Sequence, residues 1–421
     1  MSEDLNKILL KKSLQNKKII KPLVWISMSI GCNIKYATSF KDPVKLISLT
    51  LVISSILGLG GQYYFIWENR SKSMLTYTDA ICTSFQTWIS ISKLFHFAFT
   101  QHKFEKLVKI AQNTEILQNF EIFELNIFNK KHITEEIQGI LDDSWLDIKR
   151  QLNFYIISVF GIVGWYYFSC LAVNIYNTYT YSSPTEFELL YPFQGAFPMW
   201  RDKGIQFPYY FVTYIISGSE THISGMSAVS FAGLYIVTSL HTLALLKILR
   251  RLVAYSTTED VLPQERVKYI LAWAKLHQRI YEYFYEINSL YYIQSAPLFL
   301  CSMLVICLLI FQGSVGLGSD VDVVIKMVLY FAAAGFEVSM FCFNGQRLTS
   351  ESERLPVALY NCKWYEECTE FKFIIRMMLM RTNRTLAIQV GGFTTMSLVT
   401  LLGIMRSSFS YCLLLREFNS E

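Results

Sequence analysis

Charge is scarce in this chain. Only 17% of its 421 residues are Asp, Glu, Lys or Arg, against about a quarter in soluble domains. Its mean hydropathy is positive. Together these exclude an ordinary soluble globule and point to an integral membrane protein. Proline is also sparse, and there is no Pro/Gly/Ser-rich linker, low-complexity tract or internal repeat. One membrane domain over 1–421 is the simplest organisation. The first twenty residues, MSEDLNKILLKKSLQNKKII, lack the apolar core and small-residue cleavage site of a secretory signal. No phosphate-binding P-loop and no H-E-x-x-H pair occurs, and His96 and His102 are too isolated to hold a metal. The sequence therefore predicts no enzyme, no metal and no cofactor. The net charge of +5 comes from basic residues lying between apolar segments and does not indicate nucleic acid.

Seven segments are long and apolar enough to span a bilayer, which takes about 20 residues. They are 44–66, 74–99, 152–173, one within 209–246, 293–311, 321–345 and 385–415. The fourth is too long for a straight crossing. It either breaks near Gly218-Ser219-Glu220 or projects beyond the membrane. Lys and Arg set the orientation. Thirty lie on one side, in the amino-terminal stretch up to Lys45 and in the segments before spans three, five and seven. Five lie on the other: Arg70, Lys72, Arg201, Lys203 and Arg416. The amino-terminal segment 1–43 is thus cytoplasmic, and the carboxyl terminus is extracellular. The expected fold is all-α, with seven transmembrane helices.

An inner amino terminus argues against a metabotropic seven-helix receptor. So does the absence of an aspartate-arginine-tyrosine triplet after span three and of an NPxxY-type motif in span seven. The outer loops contain no cysteine, and the nine cysteines read as buried structural thiols. Asn69-Arg70-Ser71 is a glycosylation sequon close to the membrane, and Asn383-Arg384-Thr385 lies on the inner side.

Two inner segments, 247–292 and 346–384, read as helical extensions. The first offers a cap at Thr257-Thr258 with Glu259 and Asp260 following. Tyr269, Trp273, Leu276, Ile280, Tyr283 and Ile287 then recur at helical spacing. That stripe packs either within the chain or against a neighbouring subunit. A second helix is expected over 364–381.

The last span carries a stripe of its own. Thr400, Gly403, Ser407, Ser410, Leu414 and Glu417 share one helical face, and Leu401, Leu402, Met405, Phe409 and Leu413 lie opposite. Small polar residues suit close helix packing. They equally suit a water-filled path with Leu414 as an apolar constriction and Glu417 at the mouth.

The carboxyl third resembles the insect odorant receptors. The match runs from Ser352, Ala358, Tyr360 and Trp364 in ESERLPVALYNCKWYEE to SSFSYCLLLREF, with Ser410-Tyr411 as the pair closing the final helix. The resemblance implies an odorant-gated, non-selective cation channel of four subunits, with helix seven lining the pore, Leu414 at its narrowest point, and an inner anchor where subunits meet. It implies a heterotetramer with a common co-receptor, in the dendritic plasma membrane of olfactory sensory neurons. The chain lacks the co-receptor's long insertion between spans four and five, so it resembles the variable, ligand-binding type. Glu417-Phe418 resembles the ending of the related gustatory receptors, which leaves a gustatory channel as the alternative.

The resemblance also implies a small volatile ligand in the outer half of the bundle. Position and chemistry nominate Tyr77, Phe85, Trp88, Trp165, Phe168, Tyr214, Ile223 and Met226 as its lining. Glu220, His222 and Glu337 lie inside spans, where polar groups carry function. Glu337 is expected to pair with a basic residue, while Lys93 and Arg406 snorkel.

Overall fold

The computed structural model describes residues 2–32, 43–70, 74–118, 131–180, 189–197, 208–315 and 321–420. Lys72, Arg201 and Lys203, assigned above to the outer side, and Ser71 of the first sequon lie outside these residues. Ten helices occur among the described residues: α1 (Ser2–Ser29), α2 (Pro43–Asn69), α3 (Met74–Asn113), the single turn α4 (Glu115–Gln118), α5 (Lys131–Thr180), α6 (Tyr209–Tyr255), α7 (Arg266–Val315), α8 (Val321–Asn361), α9 (Thr369–Thr382) and α10 (Leu398–Ser420). A two-stranded antiparallel hairpin, β1 (Gln389–Val390) with β2 (Thr394–Thr395), precedes α10.

Six of these helices are long and apolar enough to cross a membrane. The remaining span is α3, whose serines and threonines lower its hydropathy. Those hydroxyls point into the bundle and bond their own helix: Thr83 donates to Asp79 O, Thr87 to Thr83 O and Ser90 to Gln86 O. Such back-bonding lets a polar face sit in a bilayer protein without orphaned groups.

The hub is α6. Its most apolar stretch is wholly enclosed, as expected of a helix that is apolar all round, and α1, α2, α3, α5, α7 and α8 all pack on it. It runs unbroken through Gly218-Ser219-Glu220, so the long fourth segment projects beyond the bilayer. At about 1.5 Å per residue its 47 residues reach roughly 70 Å.

On its outer half α6 meets α2 through buried polar groups. Gln62 Nε2 donates to Glu220 Oε1 at 3.1 Å, and Ser54 and Ser219 share a 2.6 Å hydrogen bond. The end of the Glu220 side chain occupies the space that a side chain at position 58 would need, so a methyl there must displace it. Gly58→Ala is expected to push the Glu220 carboxyl aside, break its hydrogen bond from Gln62 and cost about 1–3 kcal/mol. Gly60→Ala, where an added methyl meets nothing, should leave the thermal midpoint of the purified protein unchanged or slightly raised. Equal midpoints for both variants would refute the close approach.

The inner stripe is settled within the chain. Tyr269, Trp273, Leu276, Ile280, Tyr283 and Ile287 are all buried. Tyr269 Oη donates to Leu252 O at 2.6 Å, and Trp273 Nε1 to Leu249 O at 2.8 Å. The alternative, a subunit contact through this stripe, is therefore ruled out. The expected cap is also corrected. Thr258 donates to Tyr255 O and closes the end of α6, and α7 starts later, behind a 3₁₀ turn at Pro263–Glu265. Proline supplies a preset φ and no unmet donor there. The second inner helix runs Thr369–Thr382, shorter than expected, because Trp364–Glu366 forms a separate turn.

His277 lies in this inner packing, stacked on Trp273 and against Tyr281. Burial, with the Arg381 charge adding to it, pushes its imidazole down to about 4. The folded state thus holds it neutral while the unfolded chain titrates near 6.5. The stability it contributes is complete above pH 6.5. It falls by roughly 3 kcal/mol as pH drops to 4. His277→Leu is expected to flatten the change of thermal midpoint over that window, and an unchanged pH profile would refute the assignment.

Two further corrections concern the ends. The segment 1–43, expected only to be cytoplasmic, contains a docked helix, α1. Ile20, Leu23 and Ile26 of α1 are buried, and Ser27 donates to Ser230 Oγ of α6 at 3.0 Å. The last span is not helical from 385. Residues 386–397 run beside the middle of α7, where Gly391 N donates to Tyr292 O at 2.9 Å and Gln389 N to Asn288 Oδ1 at 2.8 Å. Gly391 and Gly392 both take positive φ, which ends any helix there and turns the hairpin.

Candidate ligand cavity and pore helix

The inner end of α10 is fixed by a small hydroxyl cluster. Thr400 N donates to Ser397 Oγ, and Thr400 Oγ1 bonds Thr395 O at 2.7 Å and Thr394 Oγ1 at 2.8 Å. Beyond this, α10 packs on its own chain along Ile404, Ser408 and Cys412, four residues apart and all buried. Ser408 Oγ donates to Met303 O of α7 at 2.9 Å. Leu401 and Met405 flank this seam, while Leu402, Phe409 and Leu413 are exposed.

The nominated stripe lies about a quarter turn from the seam. Gly403, Ser410, Leu414 and Glu417 are exposed, and Ser407 is half-buried. A methyl added at Gly403 would meet nothing within 4 Å. The small residues of the stripe therefore do not serve helix packing inside the chain. Thr400 differs from the rest, because its hydroxyl is spent on the hairpin. Arg406 is exposed, as a snorkelling side chain should be.

A cavity of about 80 Å³ lies deep in the bundle between α3, α5, α6 and α8. From α5 it is lined by Tyr155, Val159, Ile162, Val163 and Tyr166, and from α6 by Thr221, Ser224, Gly225 and Ala228. From α8 come Tyr330, Ala333, Ala334 and Glu337, and from α3 comes Gln86. Phe193, on the described stretch 189–197, closes it with its ring edge-on to Tyr166 at 5.8 Å. That stretch is pinned to α2 by Ala196 N donating to Gly61 O at 3.0 Å.

None of the eight nominated residues lines this cavity. Ile223 and Met226 lie in the core, one residue to either side of Ser224-Gly225. Phe85 packs against Cys82, Val305, Leu309 and Tyr330, one residue from Gln86. Trp165 and Tyr77 are half-buried, and Phe168 is exposed. Trp88 is exposed and donates to Tyr63 Oη at 2.7 Å. Tyr214 Oη donates to Tyr167 O at 3.0 Å. One residue along a helix turns the side chain by about 100°, so Phe85, Trp165, Ile223 and Met226 face away from this cavity while their neighbours line it. The cavity wall combines small residues (Ser224, Gly225, Ala228, Ala333 and Ala334) with the branched chains of Val159, Ile162 and Val163 and the rings of Tyr155, Tyr166, Phe193 and Tyr330.

Glu337 does pair with a basic residue, and the partner is Lys93. Its Nζ lies 2.8 Å from Glu337 Oε1, and the two side chains are 0% and 8% exposed. Lys93 therefore does not snorkel. Glu220 is buried outside the cavity, and His222 is half-buried. Asn69 is buried with its amide donated to Phe65 O at 2.8 Å, a poor acceptor for a glycan. Of the nine thiols, only Cys368 is exposed.

A family model described as 7tm Odorant receptor matches residues 73–409. The chain belongs to the insect odorant receptor family. This odorant receptor is 31% identical over 410 residues to Odorant receptor 63a of Drosophila melanogaster, covering 97% of each chain. It is 30% identical over 413 residues to Odorant receptor 67b of the same organism, covering 95% of this chain and 96% of the other. Its fold matches the solved olfactory receptor OR5 from Machilis hrabei in complex with eugenol at a TM-score of 0.76 and 16% identity, over 97% of this chain and 100% of that one. It is a multi-pass helical membrane protein. The gustatory-like ending at Glu417-Phe418 lies beyond the residues that the family model matches. The motif residue Ser352 has a role that spacing did not reveal: its Oγ accepts Leu386 N at 3.0 Å, where the chain leaves the inner helices for the hairpin.

Proposed function

We propose that this odorant receptor is the ligand-binding subunit of an odorant-gated, non-selective cation channel, assembled with the common co-receptor as a heterotetramer in the dendritic plasma membrane of olfactory sensory neurons. The carrying observation is the uncovered face of α10. Its seam is packed and its Leu402, Phe409 and Leu413 side suits lipid. The face with Gly403, Ser407, Ser410, Leu414 and Glu417 suits neither. Four such helices around an axis would line a path with small polar residues, ring it with Leu414, and draw cations toward Glu417. Thr400, tied into the hairpin, sits at the inner end of that path.

The rest of the molecule supports this reading. Only ten residues, 256–265, join α6 to α7, which agrees with the variable subunit type. With the 269–287 stripe used internally, Phe373, Met377 and Met380 of α9 and Val357 and Tyr360 of α8 are among the exposed apolar residues of the inner region. They suit the contact between subunits. A small volatile would bind in the cavity at α3, α5, α6 and α8 and shift the helices that flank α10.

The test is whole-cell current during a panel of volatiles, with and without an insect co-receptor. Current that needs both chains, persists when G-protein signalling is blocked and reverses near zero millivolts is expected. Responses to sugars or bitter compounds from this chain alone would instead support the gustatory alternative.

A further inference from the structure

The polar groups around the cavity are not equivalent. Tyr330 Oη is spent on Cys82 O at 3.2 Å, and Thr221 Oγ1 on Ser217 O at 3.1 Å. Ser224, 5% exposed, has a buried hydroxyl with no partner in the protein. A buried hydroxyl left unpaired is costly unless something else bonds it. Glu337 is held from one side by Lys93 at 2.8 Å. As the anion of an ion pair its carboxylate only accepts hydrogen bonds. The remaining wall, Val159, Ile162, Val163, Ala333 and Ala334 among it, is apolar and narrow.

Resting on the reading of this cavity as the odorant site, we propose that the receptor selects small molecules bearing a hydroxyl group, alcohols or phenols, with that hydroxyl donating to the Glu337 carboxylate and Ser224 donating back to a ligand oxygen. Aldehydes, ethers and hydrocarbons of the same shape lack the donor. They would occupy the site without offering Glu337 a donor, and a site built around a hydrogen bond rejects the analogue that cannot make it. Lys93 is a positioning residue: its 2.8 Å contact fixes the orientation of the carboxylate.

The experiment uses the full-length receptor with its co-receptor and two matched sets of probes: benzyl alcohol, benzaldehyde and toluene, and phenol with anisole. Concentration–response curves are read as current, and binding is read separately as thermal stabilisation of the purified receptor. The alcohol and the phenol are expected to act at concentrations roughly tenfold or more below their partners. Ser224→Ala, a small change expected to fold, should weaken the alcohol and the phenol and leave toluene unchanged. Lys93→Met/Glu337→Met should abolish the preference.

Equal potency across each set would overturn the proposal, and so would a preference that survives the loss of Glu337. Binding of no hydroxyl-bearing probe would overturn it as well. Selective binding without current would keep the ligand class and remove the channel reading. Current from every probe alike would do the reverse.

Discussion

Lys93→Met is expected to leave most of the receptor off the cell surface, and Lys93→Met/Glu337→Met to bring it back. The pair is enclosed by the bundle, with side-chain exposures of 0% and 8%, and Lys93 also lies 5.8 Å from the Phe231 ring. Removing one partner strands the other charge in a low-dielectric interior at a cost of about 3–5 kcal/mol. That is a large part of the roughly 5–15 kcal/mol that holds a typical domain together. Replacing both charges with apolar residues of similar length is close to neutral. Surface labelling and size-exclusion profiles of the three proteins check the result. A single variant that traffics like the wild type would show that the pair contributes no stability.

Leu414→Ala is expected to raise current in the absence of any odorant. In the proposed channel, four Leu414 side chains close the path by excluding water. A smaller residue leaves a wider constriction that stays wet more of the time. Leu413→Ala, on the exposed apolar side of the same helix, should leave basal current unchanged, because that side faces lipid. Basal and ligand-evoked currents in these two variants separate the roles. Identical behaviour would remove Leu414 from the gate.

How much of this was legible beforehand depended on the kind of signal. Apolar length and the placement of Lys and Arg sufficed for the spans, because a bilayer imposes both directly. They misled at 385–397, where Leu386, Ile388 and Val390 mimic the start of a spanning helix. There the Gly391-Gly392 pair was the overlooked sign of a turn. In α1 the frequent lysines hid Ile20, Leu23 and Ile26, although their spacing of three is helical. The stripe at 269–287 was plain, but its partner was not, since spacing states that a face is buried and not by what.

The cavity was the least legible part. Aromatics mark packing and pockets alike, whereas the real wall carries Ser224, Gly225, Ala228, Ala333 and Ala334. Small residues create a void by leaving volume unfilled, and that becomes visible only once the helices are assembled. Glu337 was correctly suspected of needing a cation. Lys93 was not matched to it because the two lie 244 positions apart.

The hydroxyl cluster around Thr400 has a mechanical consequence. It clamps the inner end of α10 to a hairpin that is itself bonded to α7, whereas toward the outer end Cys412 and Leu415 make apolar packing contacts with α7. The helix is thus a lever with an inner pivot. Leu414 lies fourteen residues along it, about 21 Å from Thr400. By that lever arm a tilt of about 5° carries Leu414 sideways by roughly 2 Å. Ångström-scale adjustments around the cavity, passed through α7, are then magnified toward the far end of the arm while the clamped end stays in register.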